Sequence, residues 1–512
     1  MNNVSSTRTE NIIIITCALF TFLLHLIVNV NGGYGFFRDE LYYIACSDHL
    51  DWGYVDQPPF SIFLLKCWRL LFGDSLVSIR MLPALAHTGT VVLAGLLAKE
   101  MGGKAFAVVL ACLGMACSLI HLGMSGIYSM NSIDILIWTL SMYLLVRIIH
   151  TPKPEYWITL GVVLGIGLLN KISVLFLGAG IFAGILFTNR NWLGTRWPYI
   201  AGIIALALFL PYIFWNLYHD NAHLEFIHNA SAGKYSGRSR IEFVKEQILL
   251  LNPLSAPVWI AGLASLLFYK PLQRYRIFGW MYLTAFAILV INRTSKGEYL
   301  APGYACLFAA AGIFFEQKLT VRSVRWLRII YPALMVIATA VLVPFVMPLL
   351  PVEEYISYAR KMGIEPDSNE NKELAELPQF YADMFGWQEK ARDVAAVYNS
   401  LSETEKSKCA IVSNNYGRCG AIDFYGAQYG LPKSIGNHNN YWIWGPREYT
   451  GEVIIILGGR MEDHVDDFES CEQVGVSTCK YCMPYENNVR IFLCRGLKYP
   501  PASIWKDEKH YE

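Results

Sequence analysis

The sequence predicts a mainly α-helical, polytopic membrane protein with a small α/β domain at its C-terminus. Of its 512 residues, 54% are hydrophobic and 16% are charged, whereas a soluble domain has about 25% charged residues. Long apolar segments recur up to residue 350, and the remaining residues are polar, with alternating strand and helix signals. The formal net charge is +1 and no long basic tract occurs, so nothing indicates a nucleic-acid partner.

The apolar segments set the number of predicted membrane crossings. A helix needs roughly 20 apolar residues to cross a bilayer, and about eleven segments are candidates, two of them short. The first is expected to be a retained anchor, because only Arg8 precedes it and no small-x-small cleavage site follows. The segments are 12–30, 79–98, 105–122, 131–149, 156–169, 172–189, 198–216, 254–269, 277–292, 299–315 and 328–350.

Charge in the connecting loops predicts the orientation. With the N-terminus in the cytoplasm, every cytoplasmic loop carries Lys or Arg, as the positive-inside rule requires. An odd number of crossings then places the C-terminus outside. We therefore expect a transmembrane domain over 1–350, with outer loops 31–78 and 217–250, and an extracytoplasmic α/β domain over 351–512.

The first outer loop, Gly35–Pro59, carries more ionisable residues than a loop at a membrane surface normally does. Asp39 and Glu40 follow Arg38, and later positions add acids and a histidine. The acidic pair has two interpretations: a helix N-terminus with acids in its first turn, or a general base for an acceptor hydroxyl or amine. The later residues are Asp48, His49, Asp51 and Asp56.

Two short helices are predicted in this loop. Phe36–Leu50 is expected to form one, with Tyr42, Tyr43 and Leu50 on the membrane surface. Phe60–Phe72 follows Pro58-Pro59 and has an apolar face, which is typical of an interfacial helix. The nearby aromatic residues, Trp52, Tyr54 and Trp68, are expected to form an interfacial belt rather than a sugar platform.

Three cations on the outer face run against the charge bias. Lys171 lies in a very short outer turn, and Arg293 and Lys296 lie in another. They are either ligands of a lipid phosphate or side chains that snorkel to head groups. The second outer loop contains a Gly- and Ser-rich portion, Ser231–Ser239, which is either a mobile segment over a site or a solvated linker.

The C-terminal domain is predicted from short apolar runs between turns. Cys409–Ser413, Val453–Leu457 and Asn488–Cys494 resemble strands, and Gly420–Tyr429 resembles a helix. The domain holds six cysteines, for which disulfides or free thiols are expected rather than zinc, because Cys479-x-x-Cys482 has no matching second pair. The pairing is left open.

The sequence lacks the motifs of several enzyme classes. The sequence has no Walker loop, no G-x-G-x-x-G opening a helix after a strand, no H-E-x-x-H and no G-x-S-x-G. No site for soluble-nucleotide chemistry is therefore predicted. Asp134, near the outer end of the fourth span, is expected to assist Asp39 or to bind a divalent cation together with it.

Several runs resemble a known family. Arg38-Asp-Glu-Leu-Tyr-Tyr-Ile-Ala, followed by Asp51-Trp-Gly-Tyr-Val-Asp-Gln-Pro-Pro-Phe, resembles the first outer loop of family 39 glycosyltransferases of the GT-C superfamily. Relatives in that superfamily are the protein O-mannosyltransferases and the lipid A aminoarabinose transferase. Three later runs resemble a bacterial branch of unassigned substrate: Lys296-Gly-Glu-Tyr-Leu-Ala-Pro-Gly-Tyr, Leu377-Pro-Gln-Phe-Tyr-Ala-Asp-Met-Phe-Gly-Trp and Tyr441-Trp-Ile-Trp-Gly-Pro.

The resemblance implies a GT-C fold and a transferase in a bacterial inner membrane. Asp39 would be the catalytic base, with Glu40 beside it, acting on a sugar carried by polyprenyl phosphate and inverting the anomeric carbon. The acceptor, a lipid, glycan or protein, would be met on the periplasmic face. The residues expected to contact substrates are Arg38, Tyr43, His49, Asp56, Gln57, Asp134, Lys171, Arg293, Lys296 and Tyr299.

The sequence departs from the family at two places. Gln57 stands where the aminoarabinose transferase has a lysine, and the family's second acid falls near Asn131–Ser132, with Asp134 close by. No cofactor is predicted with certainty, and a divalent cation is one expectation. The alternative functions are a transporter of the lipid-linked sugar, for which no inverted repeat is visible, and a non-catalytic subunit of envelope-glycan assembly.

Overall fold

The computed structural model describes residues 2–233, 239–292, 295–368, 370 and 372–512. The chain forms two compact units. The first unit contains Met1–Gly32, Gly73–Phe214 and Gly237–Leu350, and the second contains Gly33–Phe72, Trp215–Ser236 and Pro351–Glu512. The first outer loop and part of the second are therefore grouped with the C-terminal residues.

The first unit is helical throughout its regular structure. Each apolar segment predicted from the sequence lies in helical structure, because backbone groups away from water must be satisfied within the segment. Its α-helices are Asn2–Asn31, Leu76–Glu100, Ala105–Ala116, Leu119–Met124, Met130–His150, Pro154–Asn170, Val174–Thr188, Trp197–Tyr218 (whose last residues belong to the second unit), Arg240–Leu249, Ala256–Phe268, Arg276–Ile291, Ala305–Lys318 and Leu327–Leu342. Short 3₁₀ helices are Arg190–Gly194, Pro253–Ser255, Lys270–Tyr275, Gly297–Gly303 and Val343–Phe345.

Fewer helices have full crossing length than the eleven segments predicted from the sequence. Within the part of the chain that the structure describes, six helices are long and apolar enough to cross a membrane, or eight if two bent pairs each count as one crossing. Arg240–Leu249 with Pro253–Phe268 bends by 90°, and Gly297–Gly303 with Ala305–Lys318 bends by 57°. Other apolar segments are shorter as helices than as sequence runs, such as Val174–Thr188 with 15 residues.

Small residues let helices of the first unit approach closely. A Cβ placed on Gly262 would lie 2.0 Å from the carbonyl oxygen of Leu307, and one on Gly312 would lie 2.6 Å from that of Ala107. Close approach of backbones through glycine is a common way to pack helices in a bilayer, where burial of apolar surface gives little driving force.

The second unit contains a five-stranded sheet in the order β2-β1-β3-β5-β4. The strands are β1 (Cys409–Ser413), β2 (Ile435–Gly436), β3 (Val453–Leu457), β4 (Phe468–Ser477) and β5 (Val489–Leu497). β1 pairs in parallel with β2 and β3, and β5 pairs antiparallel with β3 and β4. The prediction of a mainly helical chain with a C-terminal α/β domain is confirmed.

The two missed strands, β2 and β4, have physical explanations. β2 has two residues, too few for a sequence pattern. β4 lies at the edge of the sheet, and most of its side chains are not buried, so it lacks the apolar run that marks a central strand. Cys471 of β4 forms a disulfide with its register partner Cys494 of β5.

Helices cover the sheet and complete the second unit. Apolar side chains from β1, β3 and β5 form a core on each face, one of which includes Val394 and Ile422. The α-helices are Arg38–Asp48, Phe60–Phe72, Ala222–Ala232, Val352–Met362, Gln379–Ala382, Trp387–Ser400, Glu403–Lys406, Tyr416–Tyr425, Asn440–Trp444 and Pro501–Ile504. The 3₁₀ helices are Gly426–Tyr429, Met461–Asp463 and Pro484–Glu486.

Both helices predicted in the first outer loop are present, as Arg38–Asp48 and Phe60–Phe72. Phe63, Leu70 and Leu71 of the second are exposed, as an interfacial helix requires. The expectation that Tyr42 and Tyr43 lie on the membrane surface is wrong, because both are buried, and Tyr54 is also buried. The Tyr54 hydroxyl lies 3.3 Å from the carbonyl oxygen of Cys46 and 3.2 Å from that of His49, so it stabilises the loop.

Replacing Gly262 by alanine should destabilise the protein, because the new methyl group would collide with the backbone of Leu307. We expect a loss of about 1–3 kcal/mol, as for an overpacked core, seen as a lower melting temperature of the detergent-solubilised chain. Gly202→Ala is the matched control, since nothing lies within 4 Å of its Cβ position. It should be neutral or stabilising by up to about 1 kcal/mol. Equal effects of the two substitutions would contradict the close contact.

Candidate functional site

The helix Arg38–Asp48 begins with the acidic pair, and the two acids have different environments. Glu40 is buried, and its Oε2 accepts a hydrogen bond of 2.8 Å from the backbone N–H of Phe37. It therefore satisfies a backbone donor that a helix start leaves open. The interpretation of the pair as a helix start thus describes Glu40.

Asp39 does not cap the helix. Its side chain is 37% exposed, and its Oδ1 accepts a hydrogen bond of 2.8 Å from the hydroxyl of Tyr416. Tyr416 is buried and opens the helix Tyr416–Tyr425, which Asn415 caps by accepting from the N–H of Gly417 at 2.8 Å. A partly exposed carboxylate is thus held by a buried phenol that the α/β fold positions directly after β1.

Arg38 is buried among acids. Its guanidinium lies 3.3 Å from Asp39, 3.1 Å from Glu370 and 3.7 Å from Asp383. It also donates to the hydroxyl of Tyr485 at 3.3 Å and lies over the ring of Tyr416 at 5.4 Å. We call Arg38, Asp39, Glu370, Asp383 and Tyr416 the acidic cluster.

Burial controls the charge of Asp383. The side chain is buried, and this raises the pKa of Asp383 to about 7, against an opposing effect from Arg38. Its Oδ1 has no hydrogen-bond partner among the described residues. Near neutral pH the cluster therefore exchanges a proton at Asp383.

The end of the loop is held by aromatic and amide groups. The ring of His49 stacks on Trp444 with centroids 4.4 Å apart, and burial, with Arg447 as the next cause, lowers the pKa of His49. Asp56 accepts from the hydroxyl of Tyr42 at 3.0 Å, and that hydroxyl in turn accepts from the N–H of Asn440 at 3.3 Å.

Gln57 differs from its neighbours. It is fully buried, and neither its amide nitrogen nor its amide oxygen has a hydrogen-bond partner among the described residues. An unpaired buried amide costs several kcal/mol by transfer data, roughly 2–7, so a ligand that contacts both atoms would recover this energy.

In the first unit, a second polar group surrounds the start of helix Met130–His150. Lys171 Nζ donates to Asn131 Oδ1 at 2.6 Å and lies 5.3 Å from the centre of the Tyr299 ring. Ser173 donates to Asp134 Oδ2 at 2.8 Å. Three predicted contact residues, Lys171, Tyr299 and Asp134, thus lie in the first unit. Lys171 and Tyr299 form a cation–π contact.

Several buried atoms in this group lack partners. Within the described ranges, Ser132 Oγ and Asn170 Oδ1 have no hydrogen-bond partner, whereas Trp138 interacts with the carboxylate of Asp134. Unpaired polar atoms in a membrane-embedded helix are costly and usually mark functional sites. We call these residues, together with Asn131, Lys171, Ser173 and Tyr299, the polar cradle.

The remaining predicted residues differ in their burial, and some lie outside the described residues. Lys296 is half-buried and directly precedes the 3₁₀ helix Gly297–Gly303. Tyr43 is buried. Arg293 and most of the Gly- and Ser-rich portion, residues 234–238, lie outside the described residues.

The sequence reasoning missed Tyr416, Glu370 and Asn131. Tyr416 follows a strand in the polar run Ser413-Asn-Asn-Tyr-Gly, and such a turn at the carboxyl end of a parallel strand is a usual place for functional residues. Asn131 lies at the position that the family resemblance gives for a second acid. Glu370 stands in a polar stretch without a local signal.

Comparisons with known proteins agree with this architecture. Residues 56–215 match the family model described as dolichyl-phosphate-mannose-protein mannosyltransferase. Lipid A galacturonosyltransferase RgtD from Rhizobium johnstonii is 25% identical over 275 residues, which cover 52% of this chain and 56% of that protein. The matched part is thus just over half of the relative's length.

Solved structures match over almost the whole chain. ArnT from Cupriavidus metallidurans in the apo state has a TM-score of 0.62 at 12% identity, covering 94% of this chain and 97% of ArnT. The same protein bound to undecaprenyl phosphate gives 0.59 at 11% identity with the same coverage. The chain has the GT-C fold. The predicted resemblance to membrane glycosyltransferases of the GT-C type is confirmed, and the GT-C chain is a multi-pass membrane protein.

The raised pKa of Asp383 makes the stability of the GT-C chain depend on pH. Because the folded carboxyl binds a proton that the unfolded carboxyl has already released, stability should fall as pH rises from about 4 to about 7. Asp383→Asn removes this slope, so the variant should gain stability relative to wild type by up to about 1 kcal/mol per pH unit in that window.

The measurement is a series of thermal melts of both proteins between pH 4.5 and 8.5. The ion pair of Asp383 with Arg38 forms only when the carboxyl is ionised and already contributes to its pKa, so the slope stays informative. A stability difference that does not change with pH would contradict the assignment of a neutral-pH titration to Asp383.

Proposed function

We propose that this chain is a glycosyltransferase that moves a sugar from a polyprenyl-phosphate carrier to an acceptor, with Asp39 as the general base. The observation that carries the proposal is the state of Asp39. Among the acids of the acidic cluster, it combines a partly exposed carboxylate with a fixed orientation, set by Tyr416 at 2.8 Å. A general base needs both properties, access to a proton and a defined direction.

The reaction is a single displacement. Asp39 removes the proton of an acceptor hydroxyl or amine as the acceptor atom attacks the anomeric carbon, and the bond from that carbon to the carrier phosphate breaks. One displacement inverts the anomeric configuration. Cations near the phosphate offset the negative charge that develops on the leaving group.

The neighbours of Asp39 act as positioning residues. Glu40 closes the first turn of the helix through the N–H of Phe37. Arg38 is engaged with Asp39, Glu370 and Asp383, so we assign it to the support of Asp39 and no longer to direct substrate contact. Tyr416 is added to this set.

The polar cradle supports a role in donor binding. Lys171 supplies a cation, and Ser132 Oγ and Asn170 Oδ1 are buried atoms without a described hydrogen-bond partner. A phosphate oxygen would accept from Lys171 and Ser132, and a sugar hydroxyl would donate to Asn170 Oδ1. The fold match to ArnT bound to undecaprenyl phosphate is consistent with this choice of carrier. Lys296 is proposed as a second phosphate contact.

We also propose the orientation and placement predicted by the loop charges. The second unit would lie on the periplasmic side of a bacterial inner membrane, where the acceptor is met. His49, Asp56 and Gln57 are proposed to contact the acceptor or the sugar, and the amide of Gln57 has both polar atoms free for this among the described residues. A divalent cation held by Asp39 and Asp134 stays a prediction, since the two residues belong to different units.

Asp39→Asn should abolish sugar transfer while preserving folding and binding of the donor lipid. Removal of a general base lowers the rate by about 10²–10⁴-fold, which is measured with purified protein, a polyprenyl-phosphate sugar and candidate acceptors. Asp48→Asn is the matched control, because Asp48 lies on the same helix and makes ion pairs with Arg69 at 2.9 Å and Lys66 at 3.3 Å. It should keep at least about half of the wild-type rate, since partly exposed ion pairs contribute little.

Two outcomes would overturn this assignment. Transfer that survives Asp39→Asn would remove Asp39 as the base, and a product with retained anomeric configuration by NMR would rule out the single displacement. Carrier movement across vesicles without sugar transfer would instead favour the alternative of a transporter.

Lys296→Ala and Lys171→Ala should weaken binding of the donor without large changes in folding. Loss of one charge-assisted phosphate contact corresponds to about 1.5–3 kcal/mol, or a 10- to 150-fold higher Kd. The measurement is titration of the purified variants with a soluble short-chain polyprenyl phosphate. Lys104→Ala, an exposed lysine of the first unit, is the control and should leave Kd unchanged. Unchanged affinity in Lys296→Ala or Lys171→Ala would remove that residue from the phosphate site.

A further inference from the structure

The segment that joins β4 to β5 contains the pair Cys479 and Cys482, which the proposed reaction does not use. The two cysteines contact each other, because the N–H of Cys482 donates to the sulfur of Cys479 at 3.2 Å and the thiol of Cys482 donates to the carbonyl oxygen of Cys479 at 3.4 Å. They differ in exposure, since Cys479 is partly exposed and Cys482 is buried. An accessible first cysteine with a shielded second cysteine is the arrangement that thiol–disulfide exchange requires.

The surroundings of Cys479 stabilise a thiolate. Its sulfur accepts from the N–H of Cys482 at 3.2 Å. The neighbouring Cys482 side chain is the main cause that lowers the pKa of Cys479 to about 7, and the charge of Lys390 acts in the same direction. Cys479 in turn is the main cause that raises the pKa of Cys482. Cys479 is therefore the nucleophile of the pair.

The sulfur of Cys479 and the ammonium of Lys390 both pack against Gly386. Gly386 has a φ of 88°, and a Cβ there would lie 3.0 Å from Lys390 Nζ and 3.1 Å from Cys479 Sγ. Both the missing side chain and the left-handed backbone require glycine at this position. Lys390 and Glu486 are almost completely buried and lie 3.4 Å apart.

The same segment reaches the acidic cluster. Met483, four residues after Cys479, directly precedes the 3₁₀ turn Pro484–Glu486, and Tyr485 is the central residue of that turn. Tyr485 accepts from Arg38 at 3.3 Å, and Glu486 accepts from Arg418 at 2.9 Å. A change in the Cys479–Cys482 segment therefore has a direct path to the guanidinium beside Asp39.

We propose that Cys479 and Cys482 form a redox-active dithiol, whose oxidation to a disulfide fixes the segment that holds Tyr485 against Arg38. The coupling to Arg38 rests on the proposed function. The oxidation itself does not, so the two parts are tested separately.

The reaction is an exchange with an external disulfide, either a small-molecule disulfide or a disulfide oxidoreductase. The Cys479 thiolate attacks one sulfur of the oxidant, which forms a mixed disulfide and releases one thiolate. Cys482 then loses its proton to solvent and attacks the Cys479 sulfur, which closes the intramolecular disulfide and releases the second thiolate. The pair loses two electrons and two protons, and the oxidant is reduced to two thiols.

The first experiment equilibrates the full chain in detergent with mixtures of reduced and oxidised glutathione. Acid quenching, alkylation and peptide mass spectrometry then report the state of both cysteines. We expect a reversible transition in which the peptide loses both free thiols together. A peptide that stays fully alkylated at every ratio, or that accumulates only a glutathione adduct on one cysteine, would overturn the proposal.

A kinetic comparison tests which cysteine is the nucleophile. At pH 7, iodoacetamide should modify Cys479 of the reduced wild type about sixfold faster than Cys479 of Cys482→Ala, which has no side-chain donor at position 482. The lower pKa of Cys479 in the wild type increases its thiolate fraction, which raises the rate. The same lower pKa makes each thiolate less nucleophilic, which reduces the gain to about sixfold. Equal rates would contradict the stabilisation of the thiolate by Cys482. Thermal melting verifies that the Cys482→Ala variant is folded.

The second experiment measures sugar transfer by the oxidised and the reduced enzyme. We expect the wild-type rate to change by about twofold or more with redox state, within the usual range of coupling between linked sites. Cys482→Ser should show no redox dependence. Redox dependence that persists in this variant would come from a mixed disulfide on Cys479 or from other cysteines, and it would overturn the coupling. If no transfer is seen in either state, the proposed function fails while the glutathione experiment still decides the oxidation.

Discussion

The ion pairs of Arg38 are the interaction on which the candidate catalytic site depends. A guanidinium that is buried in a folded unit must be compensated by acids and hydrogen-bond acceptors, and here Asp39, Glu370 and Asp383 surround it. These acids come from widely separated parts of the chain. The ion pairs thus join the helix that carries Asp39 to the residues around the α/β sheet. Loss of one partner of such a group typically costs about 3–5 kcal/mol.

This arrangement also explains how two adjacent acids take different tasks. In the first turn of a helix, neighbouring side chains point in different directions, about 100° apart. Glu40 turns back to the N–H of Phe37, while Asp39 meets the hydroxyl of Tyr416 and remains partly exposed. Helix geometry therefore separates a structural carboxylate from one that can reach a substrate. The proposed chemistry depends on Asp39 because its carboxylate is the one of the two that is exposed to solvent.

Particular elements show how much could be predicted from the sequence. β1 and β3 were predicted with their observed bounds, because central strands are continuous apolar runs between turns. The edge strand β4 was missed because its side chains are mostly exposed. Fewer helices than predicted segments reach full crossing length, because several segments form helices shorter than the apolar run, such as Val174–Thr188. Charge in apolar surroundings indicated the Asp39–Glu40 pair and Lys171, and the family resemblance singled out Asp39, whereas Tyr416 and Glu370 have no such signal.

The sequence by itself determined the class of the protein and the position of its acidic loop, because both depend on local composition. A chain with 54% hydrophobic residues and repeated apolar segments has few alternatives to a helical membrane protein. Only the tertiary structure decided which groups meet: the phenol of Tyr416 on Asp39, the ring of Tyr299 near Lys171, and the thiols of Cys479 and Cys482 beside Lys390. These contacts depend on chain crossings and side-chain directions, which no local pattern encodes.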